Sequence, residues 1–129
     1  MQAPRMRIVV VDDDPMMRQA LKAVLAACGF EPLLYDSCEA AFISDDLAGA
    51  GCVVTDVVLP GMSGFYFWAR LTSAGSRLPI IFITAHDEPA VREAASRAGA
   101  SALFIKPFSC RALASAVDHA MRAEPRAAP

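Results

Sequence analysis

Three stretches of the chain are almost wholly apolar and mostly β-branched: Ile8-Val9-Val10-Val11 behind Arg7, Cys52-Val53-Val54-Thr55, and Ile80-Ile81-Phe82-Ile83. None alternates apolar with polar residues. A strand covered on both faces reads this way, which points to a parallel sheet with helices on either side. Between these stretches lie Ala-rich segments with helical spacing. Five strands and five helices follow from the pattern.

The first strand is predicted over 6–11 and the first helix over 15–28, with Pro15 at its start and Gly29 just past its end. The second strand covers 31–35 and carries Pro32, which cannot donate to a ladder and so places it at an edge. Ser37 is a helix cap, and the helix behind it is expected to run to about 48. The third strand ends at Asp56. Leu59-Pro60-Gly61-Met62-Ser63-Gly64 is turn chemistry, and a third helix follows to about 74. In it Phe65, Trp68 and Leu71 form the expected core stripe; Tyr66 and Phe67 fall off the stripe, where partial burial against a loop is favoured over an exposed partner contact. The fourth strand follows Pro79 and ends near Thr84. The fourth helix starts near Glu88 and stops before Gly99. The fifth strand is 102–105, and Ser109 caps a helix whose Leu113, Ala116, Val117 and Ala120 share a face. Strand-helix alternation of this kind is an α/β doubly wound fold with right-handed crossovers.

A chain of 129 residues suits one domain with a single core. With 55% hydrophobic and 20% charged residues it is not a disordered segment. A net charge of −2 gives no electrostatic reason to expect nucleic acid or an anionic membrane as partner. The apolar run at 8–11 is too short for a signal peptide or a membrane span and leads straight into Asp12, Asp13 and Asp14, so a soluble, cytoplasmic protein is expected. Cys28, Cys38, Cys52 and Cys110 show no CxxC spacing, and they are expected as free thiols packed like small apolar residues. The domain is expected over 1–122, with 123–129 a tail or the start of a linker.

In an open α/β sheet, ligands bind beyond the carboxyl ends of the strands. The first strand delivers Asp12 and Asp13 there, the third Asp56, the fourth Thr84 and the fifth Lys106. Three clustered carboxylates repel one another unless a cation joins them, and a hard divalent ion such as magnesium suits oxygen ligands beside a phosphate. Asp56 can then act as a nucleophile toward phosphorus and form an acyl phosphate. Lys106 supplies a second counter-charge and Thr84 a hydrogen bond.

The strings Val9-Val10-Val11-Asp12-Asp13-Asp14-Pro15, Thr55-Asp56-Val57-Val58-Leu59-Pro60-Gly61-Met62-Ser63-Gly64, Ile83-Thr84-Ala85 and Ile105-Lys106-Pro107-Phe108 resemble the response regulator receiver family of bacterial two-component systems. The resemblance spans about 7–121. It implies a flavodoxin-like sheet of order 2-1-3-4-5, Asp56 as phosphoacceptor, and Mg2+ held by Asp13, Asp56 and the Val58 carbonyl, with Asp12 acting through water. It implies Thr84, Ala85, Lys106 and Pro107 as the phosphoryl-binding and switch positions, and a cis peptide before Pro107. The partners it implies are a sensor histidine kinase or histidine phosphotransfer protein and a downstream protein or output domain, with a homodimer through the face of helix 4, strand 5 and helix 5. The module is a phosphoacceptor rather than an enzyme with a separate substrate. Asp14, beside Pro15, reads as the opening of the first helix.

Three positions depart from the family pattern. The family's switch aromatic, three residues before the lysine, is Leu103 here, and Phe104 next to it should face the opposite side of the strand. Val58 stands where a polar residue is common, and His86 follows Thr84 by two, expected as a solvated loop residue. The run Phe65-Tyr66-Phe67-Trp68 is densely aromatic. Two other readings compete: the N-terminal receiver portion of a DNA-binding transcriptional regulator, and a small phosphatase or nucleotide-binding enzyme. The second is disfavoured because no G-x-x-x-x-G-K-[ST] string follows the first strand.

Overall fold

A computed structural model describes residues 5–123. Its five strands are β1 (Arg7–Val11), β2 (Glu31–Tyr35), β3 (Ala50–Asp56), β4 (Ile80–Thr84) and β5 (Ala102–Ile105). They pair in parallel in the order β2-β1-β3-β4-β5. The helices are α1 (Pro15–Ala27), α2 (Cys38–Ile43), α3 (Gly64–Ser73), α4 (Pro89–Ala98) and α5 (Cys110–Arg122). Of the tail expected over 123–129, residues 124–129 lie outside the described residues.

The uninterrupted apolar runs serve two cores. Alternate strand residues Ile8, Val10, Cys52, Val54, Ile81 and Ile83 face α1 and α5, where Leu21, Leu25, Leu113 and Val117 close over them. Their neighbours Val9, Val11, Val53, Ile80 and Phe82 face the opposite layer, where Cys38, Ala41, Phe67, Trp68, Leu71 and Ala95 come from α2, α3 and α4. A strand sandwiched this way has no polar side to show, which is why the sequence did not alternate. Burying each Val, Leu, Ile or Phe contributes about 1.5–3 kcal/mol. β2 pairs only with β1, so Pro32 sits on an edge strand as expected.

The helix ends follow local chemistry. The Asp14 carboxylate accepts from the Met16 amide and caps α1, while Ser37, Ser63 and Ser109 cap α2, α3 and α5 in the same way. α2 is shorter than its spacing suggested and ends at Ile43 rather than near 48. The Ser44 hydroxyl turns back onto the Ala41 carbonyl (2.7 Å) and accepts from the Asp46 amide, and a single 3-10 turn (Asp46–Gly49) leads into β3. The Tyr35 hydroxyl donates to the Asp46 carboxylate and holds that turn.

Two other expectations need correcting. In α3 the buried stripe is Gly64, Phe67, Trp68 and Leu71; Phe67 is fully buried, and Phe65 is only partly so, set edge-on to Phe82 with ring centroids 4.8 Å apart. Tyr66 is exposed, with the Arg70 guanidinium over its ring. Cys38 and Cys52 are packed as small apolar residues, with burial pushing their thiols up to about 11 and about 12, but Cys28, at the end of α1, is exposed. All four are free thiols. Among the described residues, no helix is long and apolar enough to cross a membrane.

Candidate functional site

The carboxyl ends of β1 and β3 are hydrogen-bonded neighbours, with Val11 opposite Thr55, so the residues that follow them emerge side by side. Asp12 is fully buried and Asp56 nearly so, while Asp13 is exposed at the lip. One carboxylate oxygen from each lies within 4.8 Å of those of the other two. The backbone orients the two buried acids. The Asp12 amide donates to the Tyr35 carbonyl (3.1 Å), and its Oδ1 accepts from the Asp14 amide (2.8 Å). Asp56 Oδ1 accepts from the Val58 amide at 3.1 Å.

Lys106 enters from the far side of β4. Thr84 is opposite Ile105, and the Lys106 amide donates to the Thr84 carbonyl at 2.7 Å. From there its ammonium reaches both buried acids, at 2.7 Å from Asp56 Oδ2 and 3.0 Å from Asp12 Oδ2. Burial raises the Asp56 pKa, and Lys106 opposes that shift without cancelling it. For Lys106 itself burial acts downward, but Asp56 and Asp12 together outweigh it and its pKa is raised. The Lys106–Pro107 peptide is cis, as the resemblance implied. Thr84 is buried; its hydroxyl accepts from the His86 amide (3.1 Å) and keeps its own proton to donate. Ala85 and Pro107 are exposed at the same rim.

The charge balance of this group matters. With all groups ionised, three carboxylates and one ammonium sum to −3 + 1 = −2. The donors are all hard oxygens, two with their other contacts already satisfied by backbone amides. That set fits a small divalent cation and does not fit a soft one.

The flanking positions sort as follows. Val58 is 54% exposed, its side chain turned to solvent beside the loop that leaves Asp56. His86 is solvated, its Nδ1 3.4 Å from Glu88 Oε1, as the sequence suggested. Leu103 packs, partly buried, on the α4 side of β5, lining a shallow depression of about 280 Å³ with Ala95 and Ala100. Phe104 takes the other side and lies against Phe108 with centroids 5.5 Å apart. Two contacts to the site were not read from the sequence. The Arg18 guanidinium donates to the Asp12 carbonyl at 2.6 Å, and its position one helical turn after Asp14 was the available signal. The Glu39 carboxylate accepts from the Met62 amide at 3.0 Å, a contact across 23 residues that no local pattern announces.

The profile of the response regulator receiver domain matches residues 8–118. The transcriptional regulatory protein FixJ of Bradyrhizobium diazoefficiens is 37% identical over 123 residues, which are 93% of this chain and 59% of FixJ. The response regulator protein TmoT of Ectopseudomonas mendocina is 33% identical over 92% of this chain and 54% of its own length. The chain thus spans little more than half the length of these curated relatives. Among solved structures, the response regulator StyR superposes with a TM-score of 0.84 at 34% identity, covering 92% of this chain and 60% of StyR. The Vibrio cholerae chemotaxis protein CheY4, at 24% identity and a TM-score of 0.79 over 91% of this chain and 99% of its own, shares the fold.

Proposed function

This chain belongs to the response regulator receiver family, and on that premise we propose that Asp56 accepts a phosphoryl group from the phosphohistidine of a sensor histidine kinase or histidine phosphotransfer protein in the cytoplasm. One observation carries the reading: Lys106 bridges Asp12 and Asp56 within a cluster of three carboxylates at adjacent strand ends. A buried, repulsive acid cluster costs stability, and it is understandable where its charge is used.

The transfer balances simply. A carboxylate oxygen of Asp56 forms a bond to phosphorus, the phosphorus–nitrogen bond of the donor breaks, and the electron pair leaves on the imidazole nitrogen. The product is an aspartyl phosphate. Asp12, Asp13, Asp56 and the Val58 carbonyl are the groups that would hold Mg2+. When bound, that ion supplies counter-charge for the phosphoryl oxygens. Lys106 supplies the other positive charge, and the Thr84 hydroxyl and the Ala85 amide donate hydrogen bonds to the new group. Engaging Thr84 and Lys106 pulls on the ends of β4 and β5, so Pro107 and Leu103 are the first positions to feel the change. The response passes to a downstream protein or output domain, and the face of α4, β5 and α5 is the surface for a homodimer or partner.

A second reading, that these residues are the receiver portion of a DNA-binding transcriptional regulator, is favoured by one finding. The chain covers little more than half of relatives such as FixJ, a transcriptional regulatory protein. A helix-turn-helix domain encoded downstream in the same gene decides for it.

The test of the main reading is incubation with magnesium and a small acyl phosphate, followed by intact-mass measurement. The parent should gain one phosphate, lose the gain when magnesium is chelated, and show none in Asp56→Asn. Equal modification of Asp56→Asn would assign the acceptor elsewhere.

A further inference from the structure

The loop that leaves Asp56 runs through Val58, Leu59, Pro60, Gly61, Met62 and Ser63 before α3 begins at Gly64. Its two ends are held by the chain itself. The Val58 amide donates to Asp56 Oδ1, the Gly64 amide donates to the Val57 carbonyl (2.9 Å), and a Cβ at Gly64 would run into the Asp56 carbonyl oxygen. The middle is held from outside. Glu39, in the first turn of α2, accepts from the Met62 amide at 3.0 Å. Apart from Asp56 at the end of β3, it is, among the described residues, the only side chain from another element that hydrogen-bonds the backbone of this loop. Gly61 sits at φ +77°, and a Cβ there would collide with the Glu39 carboxylate, so the acid lies directly against the turn. The residue before it braces the other flank. Cys38 Sγ is 3.6 Å from Thr55 Oγ1, and the Thr55 hydroxyl donates to the Asp56 carbonyl at 3.0 Å.

We infer that Glu39 is a positioning residue for the site: it fixes the β3–α3 loop through the Met62 amide and thereby sets where Val58 and Asp56 present their oxygens. The inference rests on the reading of Asp56 and Val58 as cation ligands. Partners that orient ligating groups without touching the ion typically change metal affinity by about 10–100-fold when removed. Glu39 is exposed, so replacing it opens no core cavity, and the consequence falls on the loop rather than on global stability. What matters is the acceptor oxygen and its place, not the charge, so a glutamine should serve nearly as well.

The experiment compares the full chain with Glu39→Ala and Glu39→Gln. Amide exchange at Met62 and Val58 is followed without metal, the magnesium dissociation constant is measured by titration with magnesium chloride, and phosphorylation is timed with a small acyl phosphate. Thermal unfolding serves as the control. In Glu39→Ala, exchange at Met62 should quicken and magnesium affinity fall by about tenfold, the low end of that range, with the unfolding midpoint little changed. Glu39→Gln should restore most of both. Unchanged Met62 exchange in Glu39→Ala would show that the loop is not held this way. Quicker exchange with unaltered magnesium affinity would show that the brace stops short of the site, and a Gln variant as impaired as Ala would assign the effect to charge. Each of these outcomes overturns the inference. If the parent itself neither binds magnesium nor is phosphorylated, the functional reading fails and takes the consequence for the site with it, while Met62 exchange still reports whether Glu39 holds the loop.

Discussion

Lys106 concentrates the conflict in this molecule. Its ammonium is 2.7 Å from Asp56 and 3.0 Å from Asp12, the two most buried carboxylates of the cluster. In the free domain it offsets part of their repulsion. On the proposed function it competes with the cation for the same oxygens and partners the arriving phosphoryl group. The two roles separate in Lys106→Met, which keeps the aliphatic stem and deletes the charge. Magnesium should bind this variant several-fold more tightly, since even in fully water-screened surroundings unit charges about 4 Å apart interact by about 1 kcal/mol. Its phosphorylated form should nevertheless fail to reach the conformation that the phosphorylated parent reaches. Magnesium titration and backbone chemical shifts of the two phosphorylated proteins measure these effects. Weaker magnesium binding in Lys106→Met would mean that the lysine organises the acids rather than competing for them.

At the scale of elements, α3 shows how a tertiary contact sets the phase of a helix. Phe65-Tyr66-Phe67-Trp68 contains no polar residue to mark an outer face, so spacing alone suggested Phe65, Trp68 and Leu71 as the buried stripe. The phase is set instead by Gly64, whose lack of a side chain lets the start of the helix press against the Asp56 carbonyl. That rotation buries Phe67 completely, edge-on to Phe42 with centroids 6.2 Å apart, and leaves Tyr66 54% exposed. Phe67→Ala should cost about 3–5 kcal/mol, the range for an aromatic deleted from a core. Tyr66→Ala should stay within roughly 0.5 kcal/mol, as surface changes do. Urea unfolding of both variants tests this, and comparable losses would mean that the helix sits in the other phase. The shorter α2 has a similar cause: the Ser44 hydroxyl bonds back to Ala41 and ends a helix that alanine-rich spacing would have continued.

For the whole molecule, an acid cluster at the end of the sheet that binds a cation as proposed would couple folding to that binding. A ligand that binds only the folded chain stabilises it by RT ln(1 + [L]/Kd), about 2.7 kcal/mol at one hundred times Kd. Magnesium should therefore raise the unfolding midpoint of the parent and a chelator should reverse it. Asp13 is exposed and contributes repulsion, while the lysine bonds to Asp12 and Asp56 instead. Asp13→Asn should make the metal-free domain more stable than the parent and abolish most of the magnesium increment. A variant that is still stabilised by magnesium as strongly as the parent would remove Asp13 from the ligand set.

Much of this architecture was legible before any coordinates. Apolar runs without alternation reported strands covered on both faces, Pro32 reported an edge, and serine and aspartate caps reported where helices begin. Because each strand ends where its apolar character ends, the sequence also determined that Asp56 and Thr84 close their strands and that Asp12 and Lys106 stand just beyond theirs. These are local properties: side-chain periodicity, backbone dihedral limits and capping act over a few neighbours. What the tertiary structure alone decided are contacts between residues far apart in the chain. Lys106 meets Asp56 across 50 residues and Asp12 across 94, and Glu39 meets Met62 across 23. Such meetings depend on strand register and on how each helix is rotated against the sheet. Both are settled by packing among all the elements at once, so no single stretch of sequence contains them.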